Sequence, residues 1–157
     1  RWHLVGHLQR NKIRRTPPLV ELIHSVDSLR LLTAINDEAA RIERAVQVLL
    51  EVNTSGEAAK HGLSPEEVPD LLAADCPHLQ ILGLMTMAAL DGGVDVARRN
   101  FASLRERRDK LVAQAPPNVQ LNELSMGMSR DFQAAIAEGA TIVRVGSLLW
   151  QGVDRRN

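Results

Sequence analysis

The 157-residue sequence contains one cysteine, no tyrosine and only 3% aromatic residues, and its formal net charge is zero. A single cysteine cannot form an internal disulfide, which is typical of a reducing compartment, and we expect a cytoplasmic protein. A neutral chain has no charge excess to attract a polyanion or an anionic surface, so neither nucleic acid nor membrane is expected as a partner. The longest apolar run, residues 81–90, is too short to cross a bilayer.

The composition is that of an ordinary globular protein, with 45% apolar and 24% charged residues. We predict a single domain over residues 1–157. Two basic segments, residues 10–15 and 98–110, are interpreted as solvated surface rather than as a nucleic-acid footprint. The chain begins with Arg1 directly before a segment with the pattern of a buried strand, so we expect further sequence upstream.

Short β-rich apolar runs alternate with amphipathic segments along the chain. Strands are predicted over residues 2–5, 20–26, 46–52, 79–85, 119–124 and 141–145. Helices are predicted over residues 28–41 with Asp27 as the N-terminal cap, from Ser64 onward, over 94–114 and over 130–138. This alternation, with short connections, is typical of a parallel α/β sheet.

Two architectures fit the alternation: a doubly wound open sheet and a (β/α)₈ barrel. No Gly-x-Gly-x-x-Gly motif follows the first strand, which argues against a dinucleotide-binding open sheet. A complete barrel needs roughly 200 residues or more, and six units in 157 residues have the density of a barrel that lacks two. We therefore predict an α/β fold, a (β/α)₈ TIM-type barrel without its first two β/α units.

Functional groups of parallel α/β folds lie at the carboxyl ends of the strands. After the fifth strand, residues 125–129 are predicted to form a small turn before a helix, where free backbone N–H groups favour an anion. After the sixth strand follow a cation at Arg144, a position without a side chain at Gly146 and a hydroxyl at Ser147. Together they predict a phosphate site. The alternative is a helix cap at Ser129, with Arg144 paired to a surface carboxylate.

Six segments of the sequence form a further pattern. They are Trp2 to Lys12, His24 to Ser28, Val52-Asn53, Gly83-Leu84-Met85, Leu124 to Asp131 and Val143 to Gly146. In order and spacing, from residue 2 to about residue 152, these segments resemble the successive signatures of the YggS/PROSC family of pyridoxal phosphate homeostasis proteins. That family is similar to the barrel domain of alanine racemases. The resemblance implies a barrel that binds pyridoxal 5'-phosphate.

The resemblance implies the following cofactor-binding residues: Ser129, Arg144, Gly146, Ser147, Met85, Met87, Asn53 and His3. Arg144 matches the arginine that faces the pyridine nitrogen, and the two serines with Gly146 match the phosphate ligands. Met87 falls where racemases place a histidine against the cofactor ring, so a thioether is expected to pack there. Met85 and Asn53 are expected to line the pocket. His3 is expected either to approach the cofactor or to be a hydrogen-bonded core histidine.

The chain departs from the family pattern at the lysine that forms a Schiff base with the cofactor. In the family this lysine lies on the first barrel strand, which we expect upstream of Arg1. Lys12 and Lys60 match other family positions, and Lys110 falls on a helix face. Covalent attachment of the cofactor to this chain is therefore not expected.

Three hypotheses about function remain. An arginine at the ring nitrogen stays protonated and leaves that nitrogen unprotonated, which makes the cofactor a poor electron sink. Racemases add a catalytic tyrosine from a second domain, and this chain has no tyrosine. We therefore predict a non-catalytic carrier or regulator in pyridoxal phosphate homeostasis, with pyridoxal-phosphate-dependent apoenzymes as recipients. The alternatives are an amino-acid racemase-type enzyme and a fragment that binds nothing. No metal site is expected, because His3 and His7 lie on a strand and its exit.

Overall fold

The computed structural model describes residues 1–57, 61–113, 115–116 and 119–153. The strands are β1 (His3–Leu4), β2 (Leu22–Val26), β3 (Val46–Glu51), β4 (Leu79–Met85), β5 (Val119–Met128) and β6 (Ile142–Arg144). The helices are α1 (Leu29–Arg41), α2 (Val68–Leu72), α3 (Gly93–Val112) and α4 (Phe132–Ala137). Two short 3₁₀ helices cover Arg10–Arg15 and Ser147–Trp150. None of these helices is both long and apolar enough to span a membrane.

All six strands join one sheet in the order β1-β2-β3-β4-β5-β6, and every neighbouring pair is parallel. A doubly wound sheet reverses its strand order at a switch point, so the sequential order excludes that alternative. The observed arrangement is a half-barrel of six parallel strands alternating with helices. The predicted alternation is confirmed, and β4 has the predicted bounds.

Apolar side chains pack on both faces of the sheet because successive residues of a strand point to opposite faces. One face carries the main core against the helices and includes Ile23, Val48 and Leu84. The other face carries a smaller cluster formed by Leu22, Leu49 and Met85, with Leu82 and Ile142 packed against it. We call this second face the inner face of the half-barrel.

Two local predictions require correction. The N-terminal cap of α1 is Ser28, whose hydroxyl accepts a hydrogen bond from the Leu31 amide, and not Asp27. The Asp27 carboxylate instead accepts from His7 Nδ1 at 3.1 Å. Residues 125–128 are the end of β5 rather than a turn, so the turn begins only at Ser129. The predicted end of α3 at Gln114 lies outside the described residues.

Gly83 allows the backbones of β4 and β5 to approach closely. A Cβ atom at this position would lie 1.9 Å from the carbonyl oxygen of Glu123. We expect Gly83→Ala to lower the free energy of unfolding by about 3 kcal/mol, because neither backbone can move without breaking the ladder. Gly6→Ala is the control, since its Cβ would meet nothing within 4 Å. Urea denaturation of both variants measures the difference, and equal stabilities would contradict the expectation.

Candidate cofactor site

A cavity of about 580 Å³ opens at the carboxyl ends of β4, β5 and β6. This volume suits a small organic ligand. Five of the eight predicted cofactor residues line it: Met87, Ser129, Arg144, Gly146 and Ser147. The start of α3 closes one side with Gly93, Val94 and Ala97. Residues from three separate loops therefore meet in one concave site, as the strand-end argument predicted.

The loop after β5 meets the loop after β6 at a single oxygen atom. Ser129 Oγ accepts hydrogen bonds from the backbone amides of Gly146 and Leu148, at 3.2 and 3.3 Å. Two backbone N–H groups aimed at one oxygen form a small anion-binding arrangement. The helix after β5 contributes less than predicted, because α4 has only six residues and begins after Asp131. The candidate groups for an anion are thus the Ser129 hydroxyl and the amides after β6 that donate to it.

The end of β5 is shaped by Gly127 and Asp131. Gly127 adopts a φ of +91°, and a Cβ there would lie 2.5 Å from the Cβ of Ala135 on α4. The Asp131 carboxylate accepts a 2.6 Å hydrogen bond from the Met128 amide. Glycine at the bend and an aspartate that closes the turn together fix the position of Ser129 at the cavity wall.

Arg144 is held at the cavity wall by two hydrogen bonds. Its Nη1 donates to Ser125 Oγ at 2.7 Å, and its Nη2 donates to the main-chain carbonyl of Thr86 at 2.9 Å. Burial lowers the pKa of the guanidinium, while the charges of Asp131 and Glu51 oppose that change. Arg144 is therefore paired within the site rather than with a surface carboxylate, contrary to the alternative considered from the sequence.

The third donor group of Arg144 has no partner. Nε is the buried side-chain nitrogen without a hydrogen-bond partner in the described part of the chain. A buried donor without a partner costs on the order of 1–3 kcal/mol, so an acceptor atom from a ligand would remove that cost. An unprotonated pyridine nitrogen is such an acceptor. The donor set of this site therefore fits pyridoxal phosphate, with ring nitrogen at Arg144 and phosphate at Ser129 and Gly146.

The other predicted residues occupy different surroundings. Met87 is 39% exposed at the cavity rim, where its thioether is available to a ring. Met85 is 1% exposed and belongs to the apolar cluster of the inner face. The Asn53 side chain organises its own loop, donating to the carbonyl of Glu57 and accepting from the Ser55 amide. None of the atoms described for Met85, Asn53 or His3 lines the cavity.

Two functional candidates escaped the sequence analysis. His24 and Ser125 are polar residues that are 1% and 0% exposed, and they lie on the inner face beside Arg144. His24 Nδ1 lies 2.8 Å from Ser125 Oγ, and His24 Nε2 lies 3.1 Å from His3 Nδ1. The alternation of side chains along a strand could have identified both residues. His24 lies on the same face of β2 as Leu22, and Ser125 lies on the same face of β5 as Glu123. His3 is therefore an exposed residue bound to a buried histidine, not a core residue itself.

Three further groups gather where β1, β2 and β3 end. One nitrogen each from His7 and His61 and an oxygen from Asp27 lie within 4.8 Å of one another. The two imidazole rings are stacked, with centroids 4.9 Å apart and planes 20° from parallel. The arrangement is that of a stacked histidine pair with His7 bonded to Asp27.

The profile of the family described as alanine racemase, N-terminal domain, matches residues 1–153. The chain belongs to this family. The pyridoxal phosphate homeostasis protein of Aquifex aeolicus is 44% identical over 151 residues, which are 95% of this chain and 65% of that protein. The bovine protein of the same name, from Bos taurus, is 37% identical, over 96% of this chain and 58% of its own. Both of these relatives are thus named pyridoxal phosphate homeostasis proteins.

Among solved structures, PipY of Synechococcus elongatus with pyridoxal phosphate bound is 39% identical, with a TM-score of 0.84. The match covers 94% of this chain and 69% of PipY. An unknown protein from Bifidobacterium adolescentis is 43% identical, with a TM-score of 0.89, over 94% of this chain and 59% of that one. The chain spans 58–65% of the length of the two curated relatives above.

Proposed function

We propose that this chain binds pyridoxal phosphate, with a phosphate oxygen replacing Ser129 Oγ as the acceptor for the amides of Gly146 and Leu148, and with the freed Ser129 hydroxyl donating to the phosphate. The ring would lie beside Met87, with its nitrogen as the acceptor for Arg144 Nε. The observation that carries the proposal is the buried Nε donor without a partner on Arg144, a residue that lines the same cavity as Ser129 and Gly146. The ligand-bound PipY structure, at 39% identity, supports it.

We further propose that the whole protein acts as a carrier or regulator of pyridoxal phosphate in the cytoplasm and hands it to apoenzymes. The names of the relatives support a homeostatic role. The cofactor, when bound, supplies an electron-withdrawing ring, and its strength depends on protonation of the ring nitrogen. Arg144 donates a hydrogen bond to that nitrogen without releasing its own proton. The site therefore favours binding over turnover.

The phosphate half of the proposal is tested by combining Ser129→Ala with Ser147→Ala. Hydrogen bonds to a charged group contribute on the order of 1.5–3 kcal/mol, so we expect at least tenfold weaker binding of both pyridoxal phosphate and inorganic phosphate. Equilibrium titration followed by absorbance and by calorimetry measures the two affinities. Ser103→Ala, exposed on α3, is the matched control and should bind like the unchanged chain. Unchanged affinities in the double variant would overturn the assignment.

Turnover and covalent attachment are tested on the unchanged chain after pyridoxal phosphate has been added. We expect no racemisation of alanine above that of free pyridoxal phosphate. Borohydride reduction followed by mass spectrometry should leave no pyridoxyl group on Lys12, Lys60 or Lys110, because no lysine lines the cavity among the described residues. Lys60 lies outside those residues, so the experiment decides its role directly. An adduct on any of the three lysines would contradict the expectation that none of them forms the Schiff base, and racemisation above background would contradict the carrier role.

A further inference from the structure

The inner face of the half-barrel carries a continuous line of hydrogen bonds that ends at Arg144. It begins at His3 on β1, continues through the buried side chains of His24 on β2 and Ser125 on β5, and reaches Arg144 on β6. Four strands thus contribute one group each, although His24 and Ser125 are 101 residues apart. We propose that His24 is a positioning residue, which acts through Ser125 to direct Arg144 Nε at a ligand in the cavity.

The direction of every hydrogen bond in this line follows from Arg144. A guanidinium only donates, so Ser125 Oγ accepts from Nη1 and its own proton is free to go to His24 Nδ1. His24 Nδ1 is then an acceptor, and its proton lies on Nε2, which donates to His3 Nδ1. The line thereby assigns the neutral Nε2–H tautomer to His24. One consistent set of donors and acceptors satisfies the side chains of His24 and Ser125.

The surroundings of His24 favour the neutral ring that this direction requires. Burial, with contributions from His3 and Arg144, lowers the pKa of His24 to about 4. His3 on β1 and Arg144 on β6 are the titratable groups that face the ring. On β3, Glu51 is 4% exposed, and burial raises the pKa of its carboxyl, with a smaller contribution from Asp27. At neutral pH, His24 therefore remains an acceptor for the Ser125 proton.

The line matters for ligand binding because it engages both Nη atoms of Arg144 and leaves Nε as the nitrogen without a partner. Nη1 is held by Ser125 and Nη2 by the Thr86 carbonyl. A guanidinium is planar, so fixing both Nη atoms fixes the direction of Nε–H as well. Without the bond to His24, the Ser125 side chain can change its rotamer, which moves Oγ away from Nη1 of Arg144. Arg144 Nε then no longer points at one place in the cavity.

The inference rests on the proposed function for its ligand, and titrations of three probes test it. His24→Leu and Ser125→Ala should each weaken pyridoxal phosphate binding by about tenfold, while the affinity for inorganic phosphate stays within twofold. An analogue of pyridoxal phosphate with a carbon in place of the ring nitrogen should bind both variants as it binds the unchanged chain. His24→Asn should retain the affinity for pyridoxal phosphate, because Asn Oδ1 can replace His Nδ1 as the acceptor.

A measurement on the ligand-free protein separates this inference from the proposed function. In ¹⁵N-resolved NMR, the Nε–H of Arg144 should give a slowly exchanging signal in the unchanged chain and in His24→Asn. The signal should broaden or vanish in His24→Leu and Ser125→Ala. A signal unaffected by His24→Leu would overturn the positioning role, as would an equal loss of phosphate and pyridoxal phosphate affinity. Failure of the unchanged chain to bind pyridoxal phosphate, with the NMR result as expected, would overturn only the proposed function.

Discussion

Lowering the pH from 6.5 to 4 is expected to remove up to about 3 kcal/mol of folding stability through His24 alone. The side chain is 1% exposed, and its pKa falls from 6.5 to about 4 on folding. Each pKa unit corresponds to about 1.4 kcal/mol. Above pH 6.5 the ring is neutral in both states. Between pH 6.5 and pH 4 the unfolded chain binds a proton that the folded chain does not. The free energy of unfolding therefore decreases as the pH is lowered through this range.

His24→Asn provides the matched reference for this effect, because asparagine does not titrate. Denaturant unfolding of both proteins at half-unit pH steps from 7 to 4 gives the difference in the free energy of unfolding. Other groups, including Glu51, whose raised pKa acts in the opposite direction, are present in both proteins and cancel. This difference should be constant above pH 6.5. Below pH 6.5 the unchanged chain should lose stability relative to His24→Asn, and the loss should grow as the pH falls. A flat difference down to pH 4 would show that His24 is solvated or already charged.

The order of the elements follows from the sequence because it depends on local patterns. Residues 79–85 form a short apolar run of the kind that the sequence analysis assigns to strands, and β4 has those bounds. The end of β5 was misplaced because Gly127 and Ser129 have the composition of a turn. In the structure, Gly127 meets Ala135 and Phe132 at close range, and the strand continues through it to Met128. Packing against α4 thus overrides the local preference.

The part of the candidate site that lies in the loops after the strands could be predicted from the sequence. Ser129, Gly146 and Arg144 follow strands that are neighbours in a parallel sheet, so their meeting was expected from topology alone. The pairing of His24 with Ser125 was not predictable in this way, since it requires the registers of β2 and β5 across the inner face. Asn53 shows the converse: it follows a strand as expected, but its amide is engaged by its own loop.

Arg144→Lys is expected to weaken pyridoxal phosphate binding by about 10- to 100-fold while retaining the positive charge. The guanidinium reaches Ser125 Oγ and the Thr86 carbonyl with two nitrogens, and its third nitrogen, Nε, is buried without a partner. A lysine ammonium is a single point on a flexible stem and cannot occupy three fixed positions. The lost hydrogen bond to the ring nitrogen contributes on the order of 1.5–3 kcal/mol.

Two comparisons separate the ring contact from a general change in charge or folding. Arg99→Lys, a substitution at an exposed residue of α3, should leave the affinity unchanged. The analogue with carbon in place of the ring nitrogen should bind Arg144→Lys and the unchanged chain within about threefold of each other, because neither can use a donor at that position. If the analogue loses as much affinity as pyridoxal phosphate does, Arg144 acts on the phosphate and the ring nitrogen must face another part of the cavity. Equal binding of pyridoxal phosphate by both proteins would remove Arg144 from the site altogether.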